Sequence, residues 1–379
     1  MFHYQVIMIF KYIIYYFILF YVSIFSLSFT THIQAQEITW EQIQIPAPGT
    51  NEKGLETLLI YSNIPGKHPT VLITHGTPRD HNDIPKRTAM GFFKQAMYFA
   101  KRGFSVAVVM RSGFGHSGGG IGKYNNFSCQ SPAYLLTTKQ AVNDLQAALM
   151  YLSTLPQFDT NNTIAVGAST GGLASIGLAA FPLDLNVGKI KLTLSFAGGN
   201  GSFAPRKICG GDYALISAFK ELGKLTSIPM LWIYAENDQY FSPELANELF
   251  NAFNKNGGNA NLVITPSFGE DGHFLFNQGM KIWEPIVEKF LVENNFKLEN
   301  IVLNKQKENL DQNPNLSSAH SKEIFSKYLE DAPHKAFAIG DKGSYGKSAN
   351  QYSKEEAISK ALEICKKYNK SDCKIIHSL

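Results

Sequence analysis

Short, almost wholly apolar runs separated by amphipathic stretches dominate the middle of this chain. Val71-Leu72-Ile73-Thr74, Phe104 to Met110, Ile164-Ala165-Val166, Leu192 to Phe196, Met230 to Tyr234 and Leu262 to Ile264 read as buried strands. Helical stretches fall between them, near 88–101, 133–154, 171–181, 243–255 and 279–293. In the second of these, Val142, Leu145, Leu149 and Leu152 recur at helical spacing. Residues 40–63 are strand-like around a turn at Gly49 to Gly54. Strands apolar along their whole length, alternating with helices, predict a mostly parallel, doubly wound α/β sheet covered on both faces. In such sheets ligands sit beyond the carboxyl ends of the strands, and that edge is where chemistry is to be sought.

The pattern changes at both ends. Residues 1–35 hold one charge, Lys11, before an aromatic and β-branched run from Tyr12 to Phe29, and Ile33-Gln34-Ala35 offers a small residue for cleavage. A cleaved signal peptide is expected, with an uncleaved anchor as the alternative; either places the remainder outside the cytoplasm, secreted or periplasmic. Residues 36–298 are then expected to form the main α/β domain. Residues 299–334, rich in Asn, Lys, Gln, Glu and Ser, read as a polar linker. Order returns in 335–379 as a small α+β module: a strand at Ala336 to Ile339, a helix opened by a Ser353/Glu356 capping box, and a closing strand from Cys373.

Composition narrows the function classes. An apolar fraction of 44% and a charged fraction of 17% suit a globular core, and a net charge of +4 without a basic arm or aromatic–basic stripe argues against nucleic-acid binding. Four cysteines in an exported chain predict two disulfides, Cys129–Cys209 and Cys365–Cys373. The first would join two loops at the carboxyl edge of the sheet, and the second would staple the small module. With no CxxC motif or Cys/His cluster, no metal and no cofactor are expected.

The chemistry-bearing residues cluster at strand ends. Gly167-Ala168-Ser169-Thr170-Gly171 is a G-x-S-x-G elbow between a strand and a helix, where Gly167 and Gly171 allow a turn too tight for side chains. Ser169 is the candidate nucleophile. His75-Gly76-Thr77-Pro78 follows the Val71 strand, so the backbone N–H groups of Thr77 and Thr170 are the candidate oxyanion hole, and His75 is read as a brace for its loop. Asp238 lies just past the Met230 strand, and His273 in the loop after the Leu262 strand. A serine hydroxyl needs an imidazole to take its proton and a carboxylate to fix that imidazole, and these three supply each type in the order Ser, Asp, His. Asp238 is preferred as the acid over Asp271, which is only two residues from the base, and over Glu236. Arg79, Lys86, Arg87 and Arg111 are read as solvated surface charge rather than as an anion site.

From about Gly54 to Val292 the chain resembles the α/β-hydrolase superfamily, in its dienelactone-hydrolase and prolyl-oligopeptidase-like branch. The resemblance is carried by His75 to Arg79, the Arg111 to Gly119 glycine-rich loop, the elbow, Tyr234 to Asp238, and Asp271-Gly272-His273. It implies cleavage of an ester or related acyl bond, in a small-molecule ester or a short peptide, through an acyl-enzyme. Dienelactone hydrolases use a cysteine where this elbow has Ser169, so lactone specificity does not carry over. The alternatives are a peptidase of the prolyl-oligopeptidase-like type and a silent binding protein on the same scaffold. The last 45 or so residues resemble a small Cys-containing module of exported bacterial proteins, for which the expected roles are an envelope contact or a stability appendage.

Overall fold

In the central sheet, residues one apart along a strand serve different cores. A computed structural model describes residues 37–120, 128–181, 187–301, 316, 319–340, 344–368 and 372–379; the expected signal peptide or anchor lies outside the described residues. Its first eight principal strands are β1 (Ile38–Ile45), β2 (Leu55–Ser62), β3 (His68–Thr74), β4 (Ser105–Val109), β5 (Phe158–Ala168), β6 (Ile190–Phe196) and, after the short pair β7 (Ser202–Ala204) and β8 (Lys207–Ile208), β9 (Pro229–Ala235) and β10 (Asn259–Thr265). The large sheet runs β1-β2-β4-β3-β5-β6-β9-β10, parallel from β4 to β10 and antiparallel at β1 and β2.

Val71, Ile73, Val106, Val108, Ile164 and Val166 face one core; Leu72, Ala107, Val109 and Ala165 face another. Helix α1 (Phe93–Ala100) covers the first face. The other face takes α2 (Tyr134–Ser153), α3 (Thr170–Ala180), α4 (Gly211–Gly223) and α5 (Pro243–Asn254). The short α6 (Leu275–Gln278) leads into α7 (Met280–Glu293), whose Trp283, Val287 and Leu291 join Phe99 and Phe196 in the first core. Burial on both faces explains why the strand sequences are apolar throughout. This is the expected doubly wound α/β-hydrolase sheet, with a serine elbow after a central strand.

The C-terminal part is a second, three-stranded sheet in the order β12-β11-β13, from β11 (Ala336–Gly340), β12 (Tyr345–Ser348) and β13 (Cys373–Ser378). Ala336 and Ala338 meet Ala357, Ala361 and Cys365 of a helix spanning Lys354–Tyr368, which lies so close that a Cβ at Gly346 would stand 2.1 Å from the Ala361 carbonyl oxygen. Cys365 is bonded to Cys373, tying that helix to β13. The opposite face differs from expectation. Within the stretch read as a polar linker, Ala319–Leu329 forms helix α8, which places Phe325 and Tyr328 on Phe337. Only one face of α8 is apolar, in a strongly polar tract, so its period was masked. The sheet is therefore sandwiched between α8 and the Lys354–Tyr368 helix, α9.

This small sheet belongs to the same compact unit as the large one, Glu37–Leu379. Trp40 meets His334 edge to face at 5.3 Å, Lys94 pairs with Asp331 at 3.2 Å, and Tyr352 stacks on His116 at 3.6 Å. The last contact falls on the glycine-rich loop, which a buried carboxylate already secures. Glu56 accepts the Ala89 N–H at 2.7 Å and the His116 N–H at 2.8 Å.

Burial pushes the Glu56 carboxyl from 4.5 up to about 6; its two N–H bonds pull it down less strongly, and Glu356 adds a little upward. A raised carboxyl means that the folded state holds the proton more tightly than the unfolded one. Stability from this group is therefore present below pH 4.5 and is lost as pH rises through about 6. Lowering the pH from 7.5 to 5 should stabilise the wild type relative to Glu56→Gln by about 1 kcal/mol. Urea midpoints at both pH values check this, and identical pH dependence in the two proteins would contradict it.

Candidate active site

Strand β5 ends at Ala168 and α3 begins at Thr170, so Ser169 alone makes the turn. It does so at φ 57° and ψ −124°, a conformation that costs a non-glycine residue on the order of 1–3 kcal/mol. Three backbone bonds hold it: its N–H donates to Phe196 O at 2.9 Å, and its carbonyl accepts the Leu173 and Gly199 N–H groups, each at 3.1 Å. The flanking glycines answer close approaches. A Cβ at Gly167 would lie 2.1 Å from the Gly171 oxygen, and one at Gly171 would lie 2.5 Å from the Thr74 and His75 oxygens. Gly76 is similarly confined, its Cβ position being 2.8 Å from Ser169 Cβ. The loop after β3 is thereby pressed against the serine.

Thr77, on that loop, shares a 2.9 Å hydrogen bond between its hydroxyl and that of Thr170, and Arg111 Nη2 donates to the same Thr170 Oγ1 at 3.0 Å. Thr170 opens α3, where a helix leaves its first N–H groups without internal partners. His75 is fully buried. Its Nε2 accepts the Arg111 N–H at 2.9 Å and its Nδ1 donates to Gly76 O at 2.9 Å, and burial, aided by the Arg111 charge, holds its pKa well below the usual histidine value. It serves as a neutral brace joining the β3 and β4 loop ends.

On the neighbouring loops, Asp238 is completely buried and gathers three donors. Oδ1 accepts the Tyr240 and Phe241 N–H groups at 2.6 and 2.9 Å, and Oδ2 lies 3.1 Å from His273 Nδ1. With Nδ1–H directed at the carboxylate, Nε2 of His273 is left as the acceptor. Asp271 makes no such contact. Its Oδ1 accepts the backbone N–H groups of His273 at 2.9 Å and Gln239 at 3.0 Å, so it shapes the turn that carries the imidazole. Glu236 bonds Ser267 from the surface.

A cavity of about 370 Å³ opens over Ser169. Thr77 and Thr170 line it, as do Thr137 and Thr138 of α2, the β7 strand residues Ser202 and Phe203, and Tyr240 and Phe241 beside Asp238. Tyr240 also stacks on the His273 ring, with centroids 3.7 Å apart and planes 10° from parallel. One wall is covalent: Cys209, bonded to Cys129, borders the cavity and accepts the Tyr134 hydroxyl on its carbonyl at 2.6 Å. The cationic residues divide differently from the surface reading. Lys86 makes an exposed pair with Asp83, but Arg111 is 2% exposed and both Arg79 and Arg111 line the cavity. Among the described residues, no group of His, Cys, Asp and Glu is arranged to hold a metal.

Residues 334–379 match the family described as "Domain of unknown function (DUF4189)". A search of curated proteins returns no match. Among solved structures, the chain is similar to a candidate dienelactone hydrolase from Klebsiella pneumoniae (13% identity, TM-score 0.47, 68% of this chain and 98% of that one). It is also similar to a thermophilic esterase from the Planctomycetes species Thermogutta terrifontis (13%, 0.47, 67% and 93%). A third similar structure is a cold-adapted esterase from an Arctic intertidal metagenomic library (15%, 0.45, 70% and 96%). At these identities and scores the fold assignment rests on the sheet order and the elbow after β5.

The elbow makes a direct structural prediction. Gly167→Ala must move backbone rather than a flexible side chain, and should lower stability by about 3 kcal/mol or more. Chemical denaturation checks this; a variant with the wild-type midpoint would contradict the Gly167–Gly171 approach.

Proposed function

We propose that this chain is an exported serine hydrolase that cleaves a carboxylic ester or related acyl bond through Ser169, His273 and Asp238. The observation that carries the reading is the conformation of Ser169: a non-glycine residue held at positive φ between strand and helix, on the wall of a cavity. Beside that cavity a buried carboxylate orients a histidine. Strain of this kind persists where the surroundings impose it, and it concentrates at functional positions. Two disulfides, Cys129–Cys209 and Cys365–Cys373, support an oxidising compartment and hence export. Among the described residues no helix is long and apolar enough to cross a membrane.

In this mechanism His273 Nε2 takes the Ser169 hydroxyl proton as Oγ attacks the substrate carbonyl carbon. The electron pair of the carbonyl moves onto its oxygen, where the Thr77 and Thr170 N–H groups stabilise the negative charge. Collapse of this tetrahedral species expels the alcohol, which receives the proton from His273, and leaves an acyl ester on Ser169. Water then repeats the sequence and releases the acid. Asp238 keeps Nδ1 protonated and stabilises the imidazolium between the two transfers. Its Tyr240 and Phe241 N–H bonds supply its fixed aim.

A fluorophosphonate probe should label Ser169, and Ser169→Ala should abolish both labelling and turnover of an activated ester while remaining folded. Retention of activity within about tenfold of wild type would refute the nucleophile. Asp238→Asn should reduce kcat by on the order of a thousandfold or more. Asp271→Asn, by contrast, should act mainly through stability, at about 1–2 kcal/mol for its two backbone bonds. The reverse ranking of the two asparagine variants in kcat would move the acid to Asp271.

A further inference from the structure

We propose that Arg79 and Tyr240 are positioning residues for His273, forming a strap that fixes the plane of the imidazole and ties it to the oxyanion loop. The proposal rests on the hydrolase reading above for its kinetic consequence, and on the packing for its geometry.

Arg79 lies two residues beyond Thr77 and lines the cavity. Nη2 donates to Ser202 Oγ at 2.7 Å, Gln239 O at 2.9 Å and Ala204 O at 3.1 Å, while Nε lies 3.4 Å from Ser202 O. Those acceptors belong to the β7–β8 hairpin and to the loop that carries Asp238. The same guanidinium carbon stands 3.5 Å over the Tyr240 ring centroid. His273 stacks on that ring at 3.7 Å. Two groups this close to one centroid cannot share a face, so Tyr240 is sandwiched between the cation and the imidazole. Its backbone N–H returns to Asp238 Oδ1 at 2.6 Å, and Asp238 Oδ2 meets His273. Tyr240, His273 and Asp238 form a closed circuit, and Arg79 bears on the outer face of Tyr240.

The need for such a circuit follows from the geometry of an imidazole. A single hydrogen bond at Nδ1 defines a direction but leaves the ring free to rock about it, swinging Nε2 sideways. A flat aromatic face parallel to the ring removes that rotation. Tyr240 can do so only if it is itself held, and the cation–π contact with Arg79 supplies the second face. Nε and Nη2 of Arg79 are engaged with protein acceptors, which fixes the guanidinium over the Tyr240 ring. A lysine cannot reproduce a planar group with several donors above an aromatic ring.

The test uses the full-length, disulfide-bonded protein with Tyr240→Phe, Tyr240→Leu, Arg79→Met and the double variant Arg79→Met/Tyr240→Leu. Three quantities are read: the fluorophosphonate labelling rate, kcat and KM for a small activated ester, and the NMR shifts of the His273 ring. Tyr240→Phe keeps the ring and should stay within about threefold of wild type in kcat. Tyr240→Leu and Arg79→Met should each lose roughly tenfold to a hundredfold in kcat and labelling rate with KM within about threefold, because Nε2 loses its aim. The double variant should be little worse than the poorer single one, as expected for two links of one strap. The upfield ring shift of His273 should fall sharply in Tyr240→Leu and weaken in Arg79→Met, the rings of Phe241 and Phe274 supplying what remains. The proposal is overturned by a folded Arg79→Met with wild-type kcat and His273 shifts, by Tyr240→Phe as damaging as Tyr240→Leu, or by losses confined to KM. If wild type does not label while the His273 shifts still depend on Arg79 and Tyr240, the hydrolase reading falls and the strap stands.

Discussion

Ser169 is held in a backbone conformation that only its surroundings make tenable, and the arrangement of the cavity follows from what those surroundings must be. The turn brings the start of α3 back against the end of β5 so closely that positions 167 and 171 have no room for a side chain. It also draws the loop after β3 inward until Gly76 touches the serine. Thr77 and Thr170 therefore meet, their hydroxyls 2.9 Å apart. None of this requires a long-range lever. It requires a central strand buried on both faces, which supplies an anchor stiff enough to sustain the strained residue.

A second regularity concerns the loops at that edge. They have few ladder partners, so their backbone N–H groups must find acceptors elsewhere. Buried or half-buried carboxylates provide them repeatedly. Glu56 takes Ala89 and His116, Asp144 takes Ser112, Asp238 takes Tyr240 and Phe241, and Asp271 takes Gln239 and His273. Each carboxylate sits on a different element, so the walls of the cavity are set by separate fastenings. Tyr352 on His116 adds the small C-terminal sheet to one of them.

What could be read from the sequence divides along the same physical line. The strands of the large sheet were legible because burial on both faces leaves uninterrupted apolar runs, and the elbow because glycine is forced at fixed offsets from a serine. Asp238 and His273 could be placed at strand ends for the same reason. Helix α4 carries the helical period in Leu215, Ala218, Phe219 and Leu222, but a Gly-Gly start and a short span hide it. The β7–β8 pair, with strands of three and two residues, is too short for any period to register. Helix α8 presents a narrow apolar stripe inside a polar tract. Arg79 reads as a surface residue in the sequence because its partners, Ser202, Ala204, Gln239 and the Tyr240 ring, lie far along the chain. Contacts of that kind depend on how the sheet returns each loop to one edge, and local pattern carries no trace of them.

The Cys129–Cys209 bond has a topological consequence. It closes the chain into a ring containing α2, β5, the elbow, α3, β6 and the β7–β8 pair, with Ser169 midway round it. Asp238 and His273 lie on the chain that leaves this ring. A single peptide-bond cleavage anywhere inside the ring leaves one covalently continuous molecule, with Ser169 still joined to Asp238 and His273. A cleavage between Gly210 and Asn237 instead leaves Ser169 on one chain and Asp238 and His273 on another, joined by no covalent link, so that noncovalent packing, such as that of Trp283 with Phe99 and Phe196, would have to hold the halves together. Tolerance of backbone nicking is thus unequal on the two sides of residue 209.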